Sequence, residues 1–565
     1  MKKANFLSKT ISFITSFSYR SLINDAKNPE KINQKVLKDI LKRNKSTKIG
    51  QKFQFSQIKS LSDFQAKIPL SNYDDYESEI QRMANGEKNI LTKDLIKAFG
   101  QTSGTTGKSK MIPISRKAMS AMVKRMIPLA YVLAENFPVL FKRGKSISLG
   151  NNRITSFTQN GTPVGAATSI GSQHMNALQS KISTSPREIS SITDYRRALY
   201  LHILFALKEK KVHSITGFFS SSVFDFFLTM EQNWKQLIDD LKTRKINKNI
   251  DLDPVLRQKL EKQLHPSDQR IAELEGELQK GMDNIACRIW PELTCIISTI
   301  SGPFKIYGSR LKKYISDLPV YSPMYGATEG IAGINIHPQQ DYYTIIPGAL
   351  ILEFMPIDRQ NEKTPQTLLA HQLAPGTDYE IILTNYSGLY RYCLGDIVRV
   401  VKYFHKLPVI EFIRRKGNLL NIAAEKTSEQ AVVSAIENWS RRSQKEFIDF
   451  TTSPCLDSAP GFYKFFIEFK IDCLNKLELQ ELSTALDQCL ADSNPRYGVA
   501  RHHNKLGCVQ VYAIKQGSFG KFKDEKIAQG ASANQVKIPR VLTIEDNLEF
   551  FTSHIITDTK DKVSV

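Results

Sequence analysis

TSGTTGKSK, at residues 102–110, is the most informative stretch of the chain. It contains two glycines and two lysines, and each of its other positions carries a side-chain hydroxyl. Glycines let backbone N–H groups turn toward phosphate oxygens, hydroxyls add rotatable donors, and lysines offset the charge of a polyphosphate. A solvated Gly-Ser-Thr loop is the alternative, but so dense a run directly before the apolar stretch Met111–Ile114 favours a phosphate-binding loop.

The same stretch contains Gly107-Lys108-Ser109, which matches the end of a Walker A motif. That motif requires a glycine five residues before Gly107, and this chain has Thr102 there. Gly104 lies only three residues before Gly107, so the spacing fails. The sequence therefore disfavours a P-loop NTPase and indicates a different phosphate-binding loop.

Composition places the chain among folded globular proteins, because 41% of its 565 residues are hydrophobic and 24% are charged. Its 78 basic and 56 acidic residues give a net charge of +22, which favours nucleotides, nucleic acid or acidic lipid as partners without choosing among them. The seven cysteines include no CxxC pair. The sequence thus predicts neither a zinc site nor a disulfide framework, and it indicates a reducing compartment.

Two apolar segments of the chain were considered, and neither indicates export or a membrane span. The N-terminal MKKANFLSKTISFITSF is basic and partly apolar, but Lys9 interrupts it and no small-residue cleavage site follows. The long apolar stretch at residues 126–141 contains Glu135 and Asn136. These features predict a cytoplasmic protein without stable membrane insertion.

Apolar periodicity predicts a mixed α/β fold. A helix is expected after Asn28-Pro29, and two more between Pro254 and Gly281 with a break near residues 265–267. The first 300 residues are mostly helical in pattern. Strand-like runs lie at Tyr379–Leu383, Ile397–Val401, Tyr463–Phe469 and Val509–Ile514. A domain boundary is predicted near Ile413–Gly417, where a strand-like run ends in Arg-Arg-Lys-Gly.

Several separated motifs carry a resemblance to a known family. YGATEG occupies residues 325–330, and YRYCLGD occupies residues 390–396. FIRRKGNLLNIAAEKTSEQ follows at residues 412–430, and NQVKIPRVL lies at residues 534–542. TSGTTGKSK resembles the phosphate loop of adenylate-forming enzymes, the acyl-CoA synthetase and luciferase superfamily. The set together resembles the acyl acid amido synthetases of the auxin-responsive Gretchen Hagen three family, and the similarity extends in order over nearly the whole chain.

The resemblance implies an α/β fold in two domains. Residues 1–413 would form a large N-terminal domain that binds ATP and the acyl acid, with mixed sheets flanked by helices and a β-barrel-like part. Residues 414–565 would form a smaller, mobile α+β domain. The implied reaction joins a carboxylic acid and ATP into an acyl-adenylate and pyrophosphate, and then passes the acyl group to the amine of an amino acid. ATP and Mg²⁺ are the implied cofactors, and the implied enzyme is a monomer that binds no nucleic acid.

Site residues follow from the matched motifs. The hydroxyl-rich loop would bind the phosphates through Thr102, Ser103, Gly104, Thr105, Thr106, Gly107 and Lys110. The second motif would contact the nucleotide through Tyr325, Gly326, Ala327 and Thr328, with Thr328 also counted as catalytic because its hydroxyl can donate to the α-phosphate. Glu329 would hold Mg²⁺, since that ion prefers carboxylate oxygens.

Four further residues complete the predicted site. Asp396, placed at the head of the strand that begins Ile397-Val398, would accept hydrogen bonds from the ribose hydroxyls. Arg415 matches the hinge arginine of the family. Lys426 and Lys537 match lysines of the mobile domain and would direct a positive charge at the α-phosphate.

Two alternatives stay open on the sequence alone. An adenylate-forming ligase that passes the acyl group to a thiol such as coenzyme A would share every nucleotide motif. A non-enzymatic protein that uses its positive charge on nucleic acid or a membrane is the other, although the basic residues are spread along the chain. Cys393 stands where the family motif has a basic residue, which removes a possible contact with a substrate carboxylate.

Overall fold

The structure is a computed structural model. It describes residues 6–101, 110–150, 154–167, 170, 182–192, 194–359, 362, 365–416, 419–420, 422, 425, 427–455, 460–470, 474–502, 505–529, 531, 536–542 and 545–556. The described residues form two compact units, the first ending at Phe412 and the second beginning at Ile413.

Helices occur in both units, and they alternate with strands along most of the chain. The α-helices are α1 Phe6–Lys27, α2 Pro29–Asn44, α3 Lys48–Lys52, α4 Leu61–Lys67, α5 Glu77–Ala84, α6 Arg116–Asn136, α7 Tyr195–Lys208, α8 Ser220–Thr243, α9 Pro254–Glu261, α10 Asp268–Gln279, α11 Ile285–Ile289, α12 Lys305–Ile315, α13 Glu429–Ser443, α14 Lys476–Ser493, α15 Pro495–His502, α16 Ser518–Ala528 and α17 Glu545–Ser553.

The strands range in length from two residues to one long strand, β15, in the second half of the chain. They are β1 Ile96–Gln101, β2 Met111–Ser115, β3 Lys145–Ser148, β4 Ile154–Phe157, β5 Pro163–Gly165, β6 Val212–Phe219, β7 Cys295–Thr299, β8 Val320–Tyr321, β9 Met324–Ala327, β10 Gly330–Ile334, β11 Tyr343–Ile345, β12 Ile351–Pro356, β13 Leu368–Leu369, β14 Asp378–Thr384, β15 Tyr392–Phe404, β16 Leu407–Arg415, β17 Leu419–Leu420, β18 Thr427–Ser428, β19 Phe447–Cys455, β20 Phe462–Phe469 and β21 Gln510–Ala513.

The described part of the first unit is built on three sheets. One has the strand order β2-β1-β5-β4, and a parallel sheet has the order β3-β6-β7-β8. The largest has the order β13-β12-β14-β15-β16-β11-β10-β9. Parallel neighbours require long crossovers, and α7 and α8 lie in such connections on either side of β6.

The core of the first unit lies where α2 to α5 pack on the largest sheet. Leu37 and Ile40 of α2 are fully or almost fully buried beside Ile381 of β14 and Phe354 of β12. Leu37 and Ile40 are three positions apart, and Leu41 follows at the fourth, so one stripe of the helix faces the sheet. This packing fixes the sheet that carries both β9–β10 and β15.

The second unit is a small α+β assembly. β19 pairs antiparallel with β20, and β20 pairs parallel with β21. Helix α13 packs on α14, and the Trp439 indole N–H donates to the Leu482 carbonyl across that contact at 3.0 Å. Val541 forms an isolated parallel bridge to Thr452 of β19.

The predicted mixed α/β class is confirmed, as are the helix after Asn28 and the two helices α9 and α10. The four predicted strand-like runs all lie within β14, β15, β20 and β21 or extend them by a residue. The helical reading of the first 300 residues was incomplete, because β1 to β7 also lie there. Those strands are short or buried on both faces, so they lack the alternating pattern that marks a half-exposed strand.

No helix among the described residues is long and apolar enough to cross a membrane.

Candidate active site

The acidic turn of the YGATEG motif is the centre of the candidate site. β9 and β10 form a hairpin in which Gly330 pairs with Ala327, so Thr328 and Glu329 occupy the turn. A side chain at Gly326 would place its Cβ 2.9 Å from the Gly330 carbonyl oxygen, which explains why this position carries glycine. The hairpin therefore presents Thr328 and the buried Glu329 together at its tip.

Asn385, which the sequence analysis did not single out, fixes this turn. Its Nδ2 donates to the Glu329 carbonyl at 2.8 Å. Its Oδ1 accepts from the backbone N–H groups of Ser387 and Leu389 at 2.9 and 3.2 Å, so the amide is held by its own loop. The turn signal Asn-Tyr-Ser-Gly at residues 385–388 was the available clue to a structured loop here.

Tyr325 joins the acidic turn to the YRYCLGD motif. Its hydroxyl donates to Asp396 Oδ2 at 2.8 Å, and both side chains are buried. The Tyr325 ring centroid lies 5.7 Å from that of Tyr343 and 6.0 Å from that of Phe412. The two motifs, about 70 residues apart in sequence, thus meet through a direct hydrogen bond.

Asp396 projects from a bulge inside β15, not from the head of a strand as the sequence suggested. Glu380 of β14 pairs with Ile397 and Ile382 pairs with Cys393, so three residues of β15 face Ile381 alone. Gly395 within this bulge has φ = +79°, a left-handed value that glycine adopts without strain. The alternating pattern of a strand gives no sign of extra residues, which is why the bulge was not predicted.

Strand β1, which precedes the hydroxyl-rich stretch, lies next to the acidic turn. β1 and β2 are antiparallel, and Gln101 pairs with Met111. An added Cβ at Gly100 would lie 2.3 Å from Thr328 Cγ2, so only glycine lets β1 pass this close to the turn. The predicted residues Thr102, Ser103, Gly104, Thr105, Thr106 and Gly107 lie outside the described residues.

Lys110, the last residue of the hydroxyl-rich stretch, is described. Its ammonium lies 5.3 Å from the centroid of the Tyr73 ring, a cation–π distance. The Tyr73 hydroxyl in turn accepts a hydrogen bond from the Met111 backbone N–H at 3.1 Å. Tyr73 thereby fixes the C-terminal end of the stretch.

Arg391, in the middle of the Tyr-Arg-Tyr run, anchors the chain just before Asp396. It is 5% exposed, and its Nε lies 3.1 Å from Glu353 Oε2. Its Nη1 donates to the carbonyls of Gln65 and Ile68 at 2.7 Å each. The motif was matched only by resemblance, and its arginine has a structural role, since it joins the residue before β15 to β12 and to the C-terminal end of α4.

Tyr390 completes that anchor. Its buried hydroxyl donates to the Leu91 carbonyl at 2.7 Å and accepts from Asn44 Nδ2 at 2.9 Å. Burial raises the pKa of the Tyr390 hydroxyl well above its usual value, so it stays a neutral donor. The residues before Asp396 are therefore held from three separate parts of the first unit.

The second unit holds Lys537 on a firmly anchored segment. Lys537 is exposed between the buried residues Val536 and Ile538. Arg540, three residues on, is 1% exposed, and its Nη1 lies 2.6 Å from both Asp449 Oδ1 and the Phe450 carbonyl. The Leu542 N–H donates to the Thr452 carbonyl at 2.7 Å, which extends the attachment to β19.

Two other predicted residues of this half of the chain have different outcomes. Arg415 is exposed and is the last residue of β16, which agrees with its predicted place at the end of a strand. Lys426 lies outside the described residues. The roles of Arg415, Lys426 and Lys537 stay predictions.

Comparison with known proteins assigns the whole chain to one family. The GH3 family N-terminal domain matches residues 18–320, its central domain matches residues 343–415 and its C-terminal domain matches residues 428–546. The first match alone covers more than half of the chain.

Three similar proteins indicate how far the likeness reaches. The indole-3-acetic acid-amido synthetase GH3.4 of Arabidopsis thaliana is 28% identical over 557 residues, which cover 94% of this chain and 92% of that protein. The jasmonoyl–L-amino acid synthetase JAR6 of Nicotiana attenuata is 27% identical over 555 residues, with 94% of each chain covered. The solved structure of the GH3.15 acyl acid amido synthetase superposes with a TM-score of 0.83 at 26% identity, covering 94% of this chain and 95% of that one.

The three family domains follow one another in order along the chain, and each of the three similar proteins covers 94% of it. The family named from the motifs is the one found by the comparisons, and its fold is the one described. The chain belongs to the GH3 family of acyl acid amido synthetases, ligases that form a carbon–nitrogen bond.

Proposed function

We propose that this chain uses ATP to convert a carboxylic acid into an acyl-adenylate with release of pyrophosphate, and then transfers the acyl group to the amine of an amino acid, giving an amide and AMP. The observation that supports the proposal is the meeting of the YGATEG and YRYCLGD motifs beside strand β1, which precedes the hydroxyl-rich stretch. The turn at Thr328 and Glu329 touches β1 at Gly100 and reaches Asp396 through the Tyr325 hydroxyl. A nucleotide has a ribose and a phosphate chain, and this arrangement offers groups suited to both.

The chemistry explains why ATP is needed. A carboxylate is anionic and lacks a good leaving group, whereas its adenylate has AMP as one. Charge builds on the α-phosphate and on the departing pyrophosphate during adenylation, so fixed donors should lower the barrier. Thr328 would donate its hydroxyl to the α-phosphate, and the hydroxyl-rich stretch with Lys110 would bind the pyrophosphate side.

Asp396 is the proposed ribose acceptor. Its carboxylate has two oxygens, and Oδ2 already accepts from Tyr325. Each carboxylate oxygen has a second lone-pair site, so the group can accept further hydrogen bonds from ribose hydroxyls. Tyr325 orients the carboxylate in this proposal, and its ring is the proposed neighbour of the adenine.

Glu329 is the proposed ligand for Mg²⁺. Among the described residues no cluster of three or more histidine, cysteine, aspartate or glutamate side chains could hold a metal ion. Mg²⁺ is commonly bound by one or two carboxylates together with substrate phosphates, so a single fixed carboxylate beside Thr328 fits that ion. When bound, Mg²⁺ would neutralise charge on the phosphates.

Lys537 is the proposed catalytic cation. In this proposal residues 1–413 bind ATP and the acid, and residues 414–565 are the mobile domain that supplies Lys537, with Arg415 and Lys426 as further contacts to the nucleotide. The backbone around Lys537 is held through Arg540 and Leu542, which supports a role that needs a fixed point of attachment.

The acid and the amino acid are proposed only as classes. The relatives named above act on indole-3-acetic acid and on jasmonate, two acids of different shape. We further propose that the enzyme works as a monomer. We also propose that it works in the cytoplasm, since the sequence carries seven cysteines without a CxxC pair, which indicates a reducing compartment.

A screen of pyrophosphate release tests the proposal. Carboxylic acids are crossed with amino acids and with coenzyme A, and the products are identified by mass spectrometry. We expect release that requires an acid and ATP, and an amide as the final product. Glu329→Ala and Asp396→Ala should each abolish most of the release. A thioester product would overturn the amine acceptor, and release that both variants retain would overturn the proposed site.

A further inference from the structure

The outward face of α1 is apolar, which is the reverse of an ordinary surface helix. Its large apolar side chains are more than half exposed: Leu7 is 53% exposed, Phe13 67%, Ile14 62% and Phe17 58%. At 3.6 residues per turn these positions lie on one side of the helix. A surface helix of a folded domain normally turns this stripe toward the core.

The opposite side of α1 packs on α6 through both polar and apolar groups. The Ser8 hydroxyl donates to the Ala134 carbonyl at 2.9 Å, and the Ser12 hydroxyl bonds to Glu135. Tyr19 stacks on Tyr131 with ring centroids 4.6 Å apart. Leu22 and Ala26 complete the buried side near the C-terminal end of the helix. These contacts hold α1 against α6 in an orientation that exposes the apolar face of α1.

Basic side chains flank the apolar face. Lys9, Arg20 and Lys27 are all exposed. They follow one another at intervals of eleven and seven residues, each close to a whole number of turns, so they form one line along α1. Asp25 is the one acidic residue in the helix, and it is paired with Arg125 of α6. The exposed surface of α1 therefore combines an apolar stripe with a line of positive charge.

The aromatic residues on this face form a small unit of their own. The Phe13 and Phe17 rings meet edge to face with centroids 5.6 Å apart. The Arg20 guanidinium lies 5.9 Å from the Phe17 centroid, where the apolar face meets the basic line. An arginine beside exposed aromatic rings matches the boundary between acyl chains and anionic headgroups in a bilayer.

We propose that this face of α1 binds the surface of a bilayer that contains acidic phospholipid. Phe13, Ile14, Phe17 and Leu7 enter the boundary between headgroups and acyl chains, and Lys9, Arg20 and Lys27 contact the anionic headgroups. The +22 charge of the chain acts in the same direction. Since no described helix can span a membrane, the contact is peripheral.

A second copy of the chain fits this face less well. A stable interface between proteins commonly uses about 20–30 residues a side, and four large apolar residues are few by that measure. Pairing two copies through α1 would also bring two basic lines and two strongly positive chains together. Charge complementarity therefore favours the acidic lipid surface.

Co-sedimentation with vesicles tests the proposal, using the full chain. We expect it to bind vesicles in which phosphatidylglycerol replaces half of the phosphatidylcholine, and to bind pure phosphatidylcholine at least about tenfold more weakly. The triple variant Phe13→Ser/Ile14→Ser/Phe17→Ser should lower the partition coefficient at least about tenfold. The variant Lys9→Gln/Arg20→Gln/Lys27→Gln should remove the preference for phosphatidylglycerol.

A matched control removes exposed apolar side chains elsewhere. Val255, Leu477 and Val499 are 74%, 66% and 59% exposed, and their triple serine variant should bind vesicles as the unmodified chain does. Equal loss of binding in this control would overturn the proposal, as would undiminished binding by the α1 serine variant. Absence of vesicle binding by the unmodified chain would also overturn it. So would a dimer in analytical ultracentrifugation that the α1 variant dissociates, since that result assigns the face to a second copy.

Discussion

Two buried arginines, Arg391 in the first unit and Arg540 in the second, occupy comparable positions beside predicted functional residues. Arg391 lies five residues before Asp396, and Arg540 lies three residues after Lys537. Each is almost fully enclosed and paired with a buried carboxylate, Glu353 or Asp449. In both units a residue predicted to be functional therefore lies close in sequence to an arginine anchored in the interior.

The surroundings of the two guanidinium groups differ. Arg391 is hydrogen-bonded to two backbone carbonyls and to Thr367 as well as to Glu353. Arg540 lies with its guanidinium carbon 4.6 Å from the centroid of the Phe450 ring, in addition to its contacts with Asp449 and the Phe450 carbonyl. The first anchor joins distant chain segments by polar contacts, and the second fixes one segment beside β19 partly through an aromatic face. We expect the first to govern nucleotide binding and the second to govern the rate of adenylation.

The largest effect should come from breaking the anchors. Glu353→Ala leaves the Arg391 guanidinium buried without its carboxylate, and Asp449→Ala does the same to Arg540. Removing one partner of a buried pair costs about 3–5 kcal/mol, because an uncompensated charge remains. Urea unfolding should register that loss for each variant. The exposed pair Lys242–Glu275 offers the control, since Glu275→Ala should leave the urea midpoint nearly unchanged. Equal midpoints for all three variants would contradict the anchoring role.

Lys537→Ala should have the next largest effect, on rate alone. Loss of one preorganised charge aimed at the transition state lowers rates by about 100- to 1,000-fold. Single-turnover pyrophosphate release measures the rate, and the KM for ATP should change only a few-fold. Lys521→Ala, which removes another exposed lysine of the second unit, should leave the rate unchanged. A KM that rises while kcat stays unchanged would reduce Lys537 to a binding residue.

Asp396→Asn should weaken ATP binding and leave most of the intrinsic rate. Hydrogen bonds to a charged acceptor contribute about 1.5–3 kcal/mol, so the KM for ATP should rise by about 10- to 150-fold. The measurement compares ATP with 2′-deoxy-ATP as substrates of the variant and of the unmodified enzyme. Because the carboxylate is proposed to accept from ribose, the variant should discriminate against the deoxynucleotide less than the unmodified enzyme does. Unchanged discrimination would place the ribose elsewhere.

The paired variants Arg391→Lys and Arg540→Lys sharpen the comparison of the two anchors. Lysine keeps the charge but cannot make the forked contacts of a guanidinium. We expect Arg391→Lys to raise the KM for ATP by about tenfold and Arg540→Lys to lower kcat by about tenfold, each through the residue it positions. Steady-state kinetics of both variants decide the point. The same change in both would show that the two anchors do not act on separate steps.

The fold class, the motifs and their order could be predicted from the sequence, because they depend on apolar periodicity and on local residue types. The sequence did not indicate the bulge in β15 that contains Asp396, since the alternating pattern of a strand gives no sign of extra residues. The sequence analysis did not single out Arg391 or Arg540 as structural residues. Only their carboxylate partners, distant in sequence at Glu353 and Asp449, make them interior anchors.

The acidic turn offers a related lesson. Thr328 and Glu329 could be assigned from their motif, whereas Gly100 and Asn385 are recognisable only by what they touch across long sequence distances. The outward apolar face of α1 was also invisible in sequence. An amphipathic helix predicts that one face is buried, and here the described structure leaves the apolar one outside.

The smallest effect should come from Tyr325→Phe. The change removes the hydroxyl that donates to Asp396 and keeps the ring between Tyr343 and Phe412. A single hydrogen bond contributes about 0.5–1.5 kcal/mol, so the KM for ATP should rise by about two- to tenfold. In the Asp396→Asn background the same change should have a smaller effect, because the two residues act through one contact. Full additivity would contradict that coupling.

The most direct measurement is a crystal structure of the full chain with a stable alkyl ester of AMP. The prediction is that the phosphate lies within hydrogen-bond distance of the Thr328 hydroxyl and that a ribose hydroxyl donates to Asp396. A nucleotide bound away from the turn at Thr328 and Glu329 would contradict the account.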